Sequence, residues 1–389
     1  MYLTLFLSIL SVSSRGLFEL FFDKGIAYLF SVGLFFLFYL AFILSQGARV
    51  VLGRWTLVIC AFFMFSAACS ALFSLVNGRD SVYTAYLIYP LSVVLVYVSF
   101  DAIRVDRLNL AKVYGAVAGA AAVLVSVAIA QQFGFISLPG ATPLFYTFST
   151  LLERPSSLTG SYLHYPLVIV LLGFVLYALK GRLTILSAIC VAAPFYGFSR
   201  SGIVLVVVAL AAEALIYMWR GRASKRFYLY APLAFSLGVV AVYYSDFYKL
   251  ISQVFGSFGT SGIGNSGRFE AWILGAQIYS DGNLLLGEQF GEVTNLSRNM
   301  FDADSIVVES GLLQNLINFG LIGAISFYAL FVRYFFVPGY RLVKIFIAAF
   351  LFQNLFYQSH EVVPFLFLIL LFISLTRQLF LSQGREAYQ

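Results

Sequence analysis

Charge is what this chain has least of. Only 11% of its 389 residues are Asp, Glu, Lys or Arg, whereas ordinary soluble domains carry about 25%. A soluble protein of this length needs a charged surface over one or two cores, and too few charges are present to cover one. Histidine is scarcer still, with two in the chain, and cysteine numbers three. His164 and His360 lie too far apart in sequence to form a zinc motif without further ligands. Cys60, Cys69 and Cys190 all sit inside apolar runs with no metal-ligand spacing and read as small core residues. A Gly-rich lysine loop for cradling phosphates is also missing, which argues against direct use of ATP. The net charge of +7 comes from basic residues scattered between apolar stretches rather than gathered in a stripe with aromatics, so nucleic acid is not an expected partner.

Apolar residues are what the chain has instead. They make up 61% of it, with 42 Phe and 25 Tyr, and the mean hydropathy is +0.92. Such a composition requires lipid as its solvent and suits Tyr and Trp at the membrane interfaces. The expected fold is an all-α polytopic membrane protein, a single transmembrane domain over 1–389. A spanning helix needs about 20 mostly apolar residues. About twelve stretches qualify: 2–21, 25–44, 55–76, 83–100, 113–133, 162–179, 183–198, 201–219, 227–244, 305–332, 345–359 and 364–382. The first is interrupted by Arg15 and Glu19, lacks the small-residue cleavage site of a signal peptide and is read as a span.

Alternate connections differ sharply in charge. One set holds 16 of the 24 Lys and Arg, in the groups around Arg49, Arg104, Lys180, Arg220, Arg333 and Arg377. The positive-inside rule makes that set cytoplasmic and places both termini there. Two long connections, 134–161 and 245–304, then fall on the outer side. Long ordered loops in a compact protein are usually functional, and the larger one, with apolar stretches such as Ala271 to Ile278, is expected to contain short helices at the interface.

The outer side also carries basic residues against the topology bias: Arg154, Arg200, Arg268 and Arg298. Arginine presents a planar fork of donors suited to phosphate and stays charged at any relevant pH. Arg154 is either such a phosphate ligand or one half of a solvated pair with Glu153. Arg200, in Phe-Ser-Arg-Ser-Gly (198–202) between apolar stretches, either lines a polar cavity or snorkels from a tight turn. Arg268 follows a Gly/Ser-rich approach to a helix start, where backbone donors already favour an anion. A capping turn is the plainer reading. Glu309 is read as lying inside an apolar helix, facing a polar cavity as a general base or pairing with an outer arginine. His164 and His360 are secondary candidates, and His360 at an outer helix mouth is a second possible base or a structural residue.

Several of these segments together resemble the bacterial O-antigen polymerases of the Wzy type and the related O-antigen ligases. The resemblance rests on Arg-Pro-Ser-Ser-Leu-Thr-Gly (154–160), Ser-Arg-Ser-Gly (199–202), Ser-Gly-Arg-Phe-Glu-Ala-Trp (266–272), Leu-Gly-Glu-Gln-Phe-Gly (286–291) and Phe-Gly-Leu-Ile-Gly (319–323), in that order. It covers roughly the second half of the chain and the residues just after 150. The resemblance implies a GT-C-like membrane glycosyltransferase, without metal or other cofactor, in the bacterial inner membrane. Its substrates would be undecaprenyl-diphosphate-linked glycans, and its partners membrane lipids, a flippase and a chain-length regulator. Arg154, Arg200 and Arg268 would hold the diphosphate, and Glu309 would take the acceptor proton. Ligases of this superfamily carry a His-Asn pair where this chain has Glu309-Ser310, which favours a polymerase. A ligase acting on lipid A core, or a transporter of lipid-linked sugars, remains the alternative.

Overall fold

In lipid a backbone must satisfy its own hydrogen bonds, and a helix does so within one segment. The computed structural model describes residues 2–45, 49–50, 53–79, 81–104, 108–143, 153–196, 199–219, 266–301, 307–336 and 340–386. Its helices are α1 (Tyr2–Val12), α2 (Arg15–Phe18), α3 (Lys24–Ser45), α4 (Arg54–Val76), α5 (Ile88–Ala102), α6 (Leu110–Gln132) and α7 (His164–Lys180). Then come α8 (Ile185–Tyr196), α9 (Arg200–Trp219), α10 (Ser266–Asp281), α11 (Asn295–Phe301), α12 (Gly311–Val332), α13 (Arg341–Asn354) and α14 (Val363–Glu386). Extended structure among the described residues is limited to two antiparallel pairings, Arg49–Val50 with Ile103–Arg104 and Thr142–Pro143 with Glu153–Arg154.

Burial separates the helices into two kinds. Helix α7 is buried from Tyr165 almost continuously to Leu179, and α14 is buried from Val363 to Leu375. An apolar helix covered on all sides is a core helix, and these two pack on each other with α6, α8, α9 and α13 around α7. By contrast, fewer than half of the residues of α3, α4 and α6 are buried. Their outer faces show large apolar side chains such as Leu37, Leu44, Phe62 and Phe65. Exposed surface of that kind is matched to acyl chains. Six helical stretches among the described residues are long and apolar enough to cross a membrane: Lys24–Ser45, Arg54–Val76, Val82–Ser99, Leu110–Gln132, Gly311–Phe336 and Val363–Leu381.

Helices α4 and α12 pack through small residues. Helix α4 turns Ser66, Ala67, Ser70 and Ala71 inward, and the Ser66 hydroxyl donates to the Phe319 carbonyl of α12. Without a hydrophobic drive between helices in lipid, close backbone approach through small side chains is what holds them together. Helix α12 itself is kinked at Gly320, whose φ of 61° only glycine adopts readily. The amide groups that the kink frees are satisfied from outside the helix. Leu321 and Ile322 donate to the carbonyls of Leu284 and Leu285 at 2.9 and 3.1 Å, and the Gly291 amide donates to Asn318 Oδ1 at 2.7 Å. The segments 286–291 and 319–323 are therefore one interlocked unit.

Several boundaries differ from the sequence expectation. The stretch 2–21 is not one span: it breaks after Val12, where Ser14 Oγ bonds back to Leu10 O at 2.6 Å, and resumes as the short α2. Serine hydroxyls that bond the preceding turn compete with helix continuation. The span read at 305–332 starts at Gly311, with the Ser310 side chain capping the Leu313 amide at 3.3 Å. Glu309 thus stands just before the helix and not within it. The span read at 345–359 is the helix Arg341–Asn354 followed by a turn. The stretch 227–244 lies outside the described residues, as does 245–265. The described residues of 266–301 form the helices α10 and α11.

The two ends of the bundle are chemically distinct. At one, Arg49 pairs across the strands with Arg104, and Lys112 and Lys180 sit over the rings of Tyr2 and Tyr114 at 5.7 and 5.3 Å. Arg333 donates to Thr56 at 2.5 Å, and Arg341 pairs with Glu213. These belong to the basic set picked out by the charge alternation. The other end gathers the described residues of 13–23, 133–143, 153–163, 282–301, 307–310 and 355–362.

Candidate functional site

A cavity of about 310 Å³ opens at that second end. It is lined by the break between α1 and α3, by Pro139, Gly140 and residues of 160–164, by the start of α11 and by the turn between α13 and α14. Each wall is set by a local feature of the sequence. The Arg15 guanidinium Nε meets Glu19 Oε1 at 2.6 Å, the two side chains being 12% and 8% exposed. Spaced one helical turn apart, they form a pair that a polar hollow can accommodate in otherwise apolar surroundings. Lys24, exposed at the start of α3, and Tyr28, one turn further on, complete that wall.

The second wall comes from Arg-Pro-Ser-Ser-Leu-Thr-Gly-Ser (154–161). Gln131 Oε1, at the end of α6, accepts the amides of Ser156 and Ser157 at 3.1 and 2.9 Å. Ser157 Oγ donates to Leu124 O at 2.7 Å. These bonds press the turn onto the bundle, where Gly160, with φ of 71°, crosses the backbone of Gly16. A Cβ on Gly160 would meet Gly16 Cα at 2.8 Å, so the crossing needs glycine. The result sets Ser161, Leu163 and His164 opposite Arg15.

The floor is Glu361. It is 6% exposed and accepts from the Asn295 amide at 3.1 Å on Oε2, and from Gln314 Nε2 on Oε1. Tyr86 OH lies at 3.4 Å from the same Oε1. Burial pushes its carboxyl up to about 8, against the lowering effect of the Gln314 and backbone hydrogen bonds. The neighbouring His360 is fully buried, with Nδ1 at 3.0 Å from Asn354 Oδ1 and no hydrogen-bond partner for Nε2. Burial drives its imidazole down to about 3, so it stays neutral at working pH.

Two further polar atoms of the lining, Tyr28 OH and His164 Nδ1, are buried without a hydrogen-bond partner. Buried donors and acceptors left unmade are costly, of order 1–3 kcal/mol each. Both belong to residues that line the cavity.

Of the residues singled out in the sequence, His164 lines the cavity. Arg154 stands beside it: its guanidinium lies 5.8 Å from the ring of Tyr162, between lining residues Ser161 and Leu163. Its Nε is buried with no hydrogen-bond partner. Arg298 is exposed on α11, one turn beyond Asn295. Glu309 is half-buried and does not line the cavity, yet the carbonyl of Val308 beside it accepts from Gln358, which does. His360 lies beneath the floor. Arg200 and Arg268 open α9 and α10, and their side chains lie outside the described residues. Sequence reasoning did not single out Arg15, Glu19, Lys24, Tyr28 or Glu361 as site residues. The available signal was the spacing of Arg15 and Glu19, a self-satisfied pair in an apolar stretch. No protein-family model matches this chain, and no similar protein is found among curated ones.

Proposed function

We propose that this is a membrane glycosyltransferase that polymerises undecaprenyl-diphosphate-linked oligosaccharide repeats. It would transfer the growing glycan from its lipid onto a new lipid-linked unit at the periplasmic face of a bacterial inner membrane. The observation that carries this reading is a convergence. The connections containing 154–160 and 286–291 meet at the end of the bundle that holds a polar cavity, away from the basic end. That is the arrangement expected if the basic end is cytoplasmic and the chemistry external.

In this reading Arg154, Arg200 and Arg268 bind the diphosphate of the donor and stabilise the charge that develops as it leaves. A carboxylate takes the proton of the acceptor hydroxyl, Glu309 being the candidate by resemblance. The energy is held in the sugar–diphosphate bond, so no nucleotide is consumed.

The test is direct. Purified protein in lipid nanodiscs is given lipid-linked repeat units extracted from its own host after deletion of its gene, without nucleotide. A ladder of lengthened glycans supports the proposal. Binding with no lengthened product favours a transporter, and product appearing only when lipid A core is added favours a ligase.

A further inference from the structure

We infer that the cavity is the subsite for the terminal sugar of the acceptor, and that Glu361, rather than Glu309, takes the proton from the attacking hydroxyl. This rests on the polymerase reading above. The cavity's chemistry distinguishes a sugar from a diphosphate. Its lining offers cations at Arg15 and Lys24, but also acidic groups at Glu19 and Glu361. Arg15 is already paired with Glu19, which leaves Lys24, among the described lining residues, as the one further cation to meet a dianion. A ring of hydroxyls, each both donor and acceptor, can use all four groups.

The two buried polar atoms without partners, Tyr28 OH and His164 Nδ1, are what such hydroxyls would satisfy. At about 310 Å³ the cavity is at the small end of ligand pockets, which run roughly 300–1,000 Å³. It suits one terminal sugar, leaving the rest of the repeat outside.

Glu361 is better placed for the proton than Glu309 because it lines this cavity and Glu309 does not. Gln314 Nε2 and the Tyr86 hydroxyl donate to Oε1 and the Asn295 amide donates to Oε2, three of the about four acceptor positions of a carboxylate. The fourth, on Oε2, remains. In the reaction, the acceptor oxygen bonds to the donor's anomeric carbon as the bond from that carbon to the diphosphate oxygen breaks. The hydroxyl proton passes to the Glu361 carboxylate, and undecaprenyl diphosphate leaves as the anion. The proton is then lost to water in the cavity.

The elevated acidity constant of Glu361 suits a base working near neutral pH. Titratable groups facing it are the Arg15–Glu19 pair, Lys24, Tyr28 and His164 across the cavity, and Tyr86 and Tyr89 behind it.

The experiment uses the nanodisc assay with wild type, Glu361→Gln, Glu361→Asp and Tyr28→Phe. Glu361→Gln is expected to lower kcat on the order of 10²–10⁴-fold with the acceptor KM little changed. Glu361→Asp should retain activity with the acid limb of its pH–rate profile displaced. Tyr28→Phe should raise the acceptor KM about threefold to tenfold at nearly constant kcat. If wild type makes no polymer, the polymerase reading falls and takes this inference with it. If wild type polymerises and Glu361→Gln keeps its kcat, the inference alone is overturned. Should Glu361→Gln fail to purify as a folded protein, Glu361→Asp decides, and an acid limb that does not move overturns it. An unchanged KM in Tyr28→Phe overturns the acceptor-subsite assignment.

Discussion

Glu361 is a carboxyl with almost no water around it, and its burial makes stability depend on pH whatever its chemistry. Its folded-state value is raised to about 8 from an ordinary 4.5, so the folded protein holds that proton more tightly than the unfolded chain. Its contribution is complete below the ordinary value and is lost as pH rises toward about 8. Glutamine does not titrate. The melting temperature of Glu361→Gln minus that of wild type should therefore become more positive between about pH 5 and about pH 9. A constant difference across that range would show that Glu361 is not held protonated. His360 acts in the opposite sense at lower pH: its value is depressed to about 3, and its stabilisation is lost as pH falls below the ordinary histidine range. At the cavity rim, Gly160→Ala forces a side chain into both a left-handed conformation and the Gly16 backbone. A loss of roughly 1–3 kcal/mol is expected, read as a lower melting temperature in detergent.

Among the elements, the kinked helix α12 is the clearest case of local chemistry set by distant residues. A Cβ at Gly320 would stand 2.4 Å from the Gly287 amide and from the Leu285 carbonyl. Gly320→Ala should therefore expel the 282–301 segment from its seat, at a cost of about 3 kcal/mol. Limited proteolysis checks this, with cleavage in 282–301 expected to speed up in the variant and an unchanged rate contradicting it. The apolar runs themselves were legible because a helix in lipid is specified by length and composition alone. Helices α3, α4, α6 and α14 fall within a few residues of their expected limits. The breaks at Ser13-Ser14 and at Ser310 were less so, since they depend on serine hydroxyls choosing a backbone partner.

The cavity was not legible for a different reason. Its walls come from residues near 15, 28, 161, 295 and 361, and nothing along the chain announces which connections meet. Arg15 and Glu19 read as flaws in a weak first span until the 154–161 turn is brought onto them by Gly16, Gly160 and Gln131. The segments 286–291 and 319–323 were read for their resemblance to a family's conserved region, and in the fold they supply the close crossing that the kink requires.

For the whole molecule, the separation of a basic end from a polar-cavity end predicts sidedness. In a background with Cys60, Cys69 and Cys190 replaced, single cysteines at Asn109 and at Asp281 should react with a membrane-impermeant maleimide from opposite sides of the membrane. Asn109 should be reached only from the cytoplasmic side, and labelling of both from one side would refute the orientation. The most direct measurement of the account as a whole joins cavity to chemistry. Leu163, 37% exposed at the cavity wall, is replaced by cysteine in the same background, and polymer formation from lipid-linked repeats is followed before and after attachment of a bulky maleimide. The account predicts a glycan ladder that disappears when the cavity is plugged. A ladder that persists undiminished in the labelled protein would contradict it.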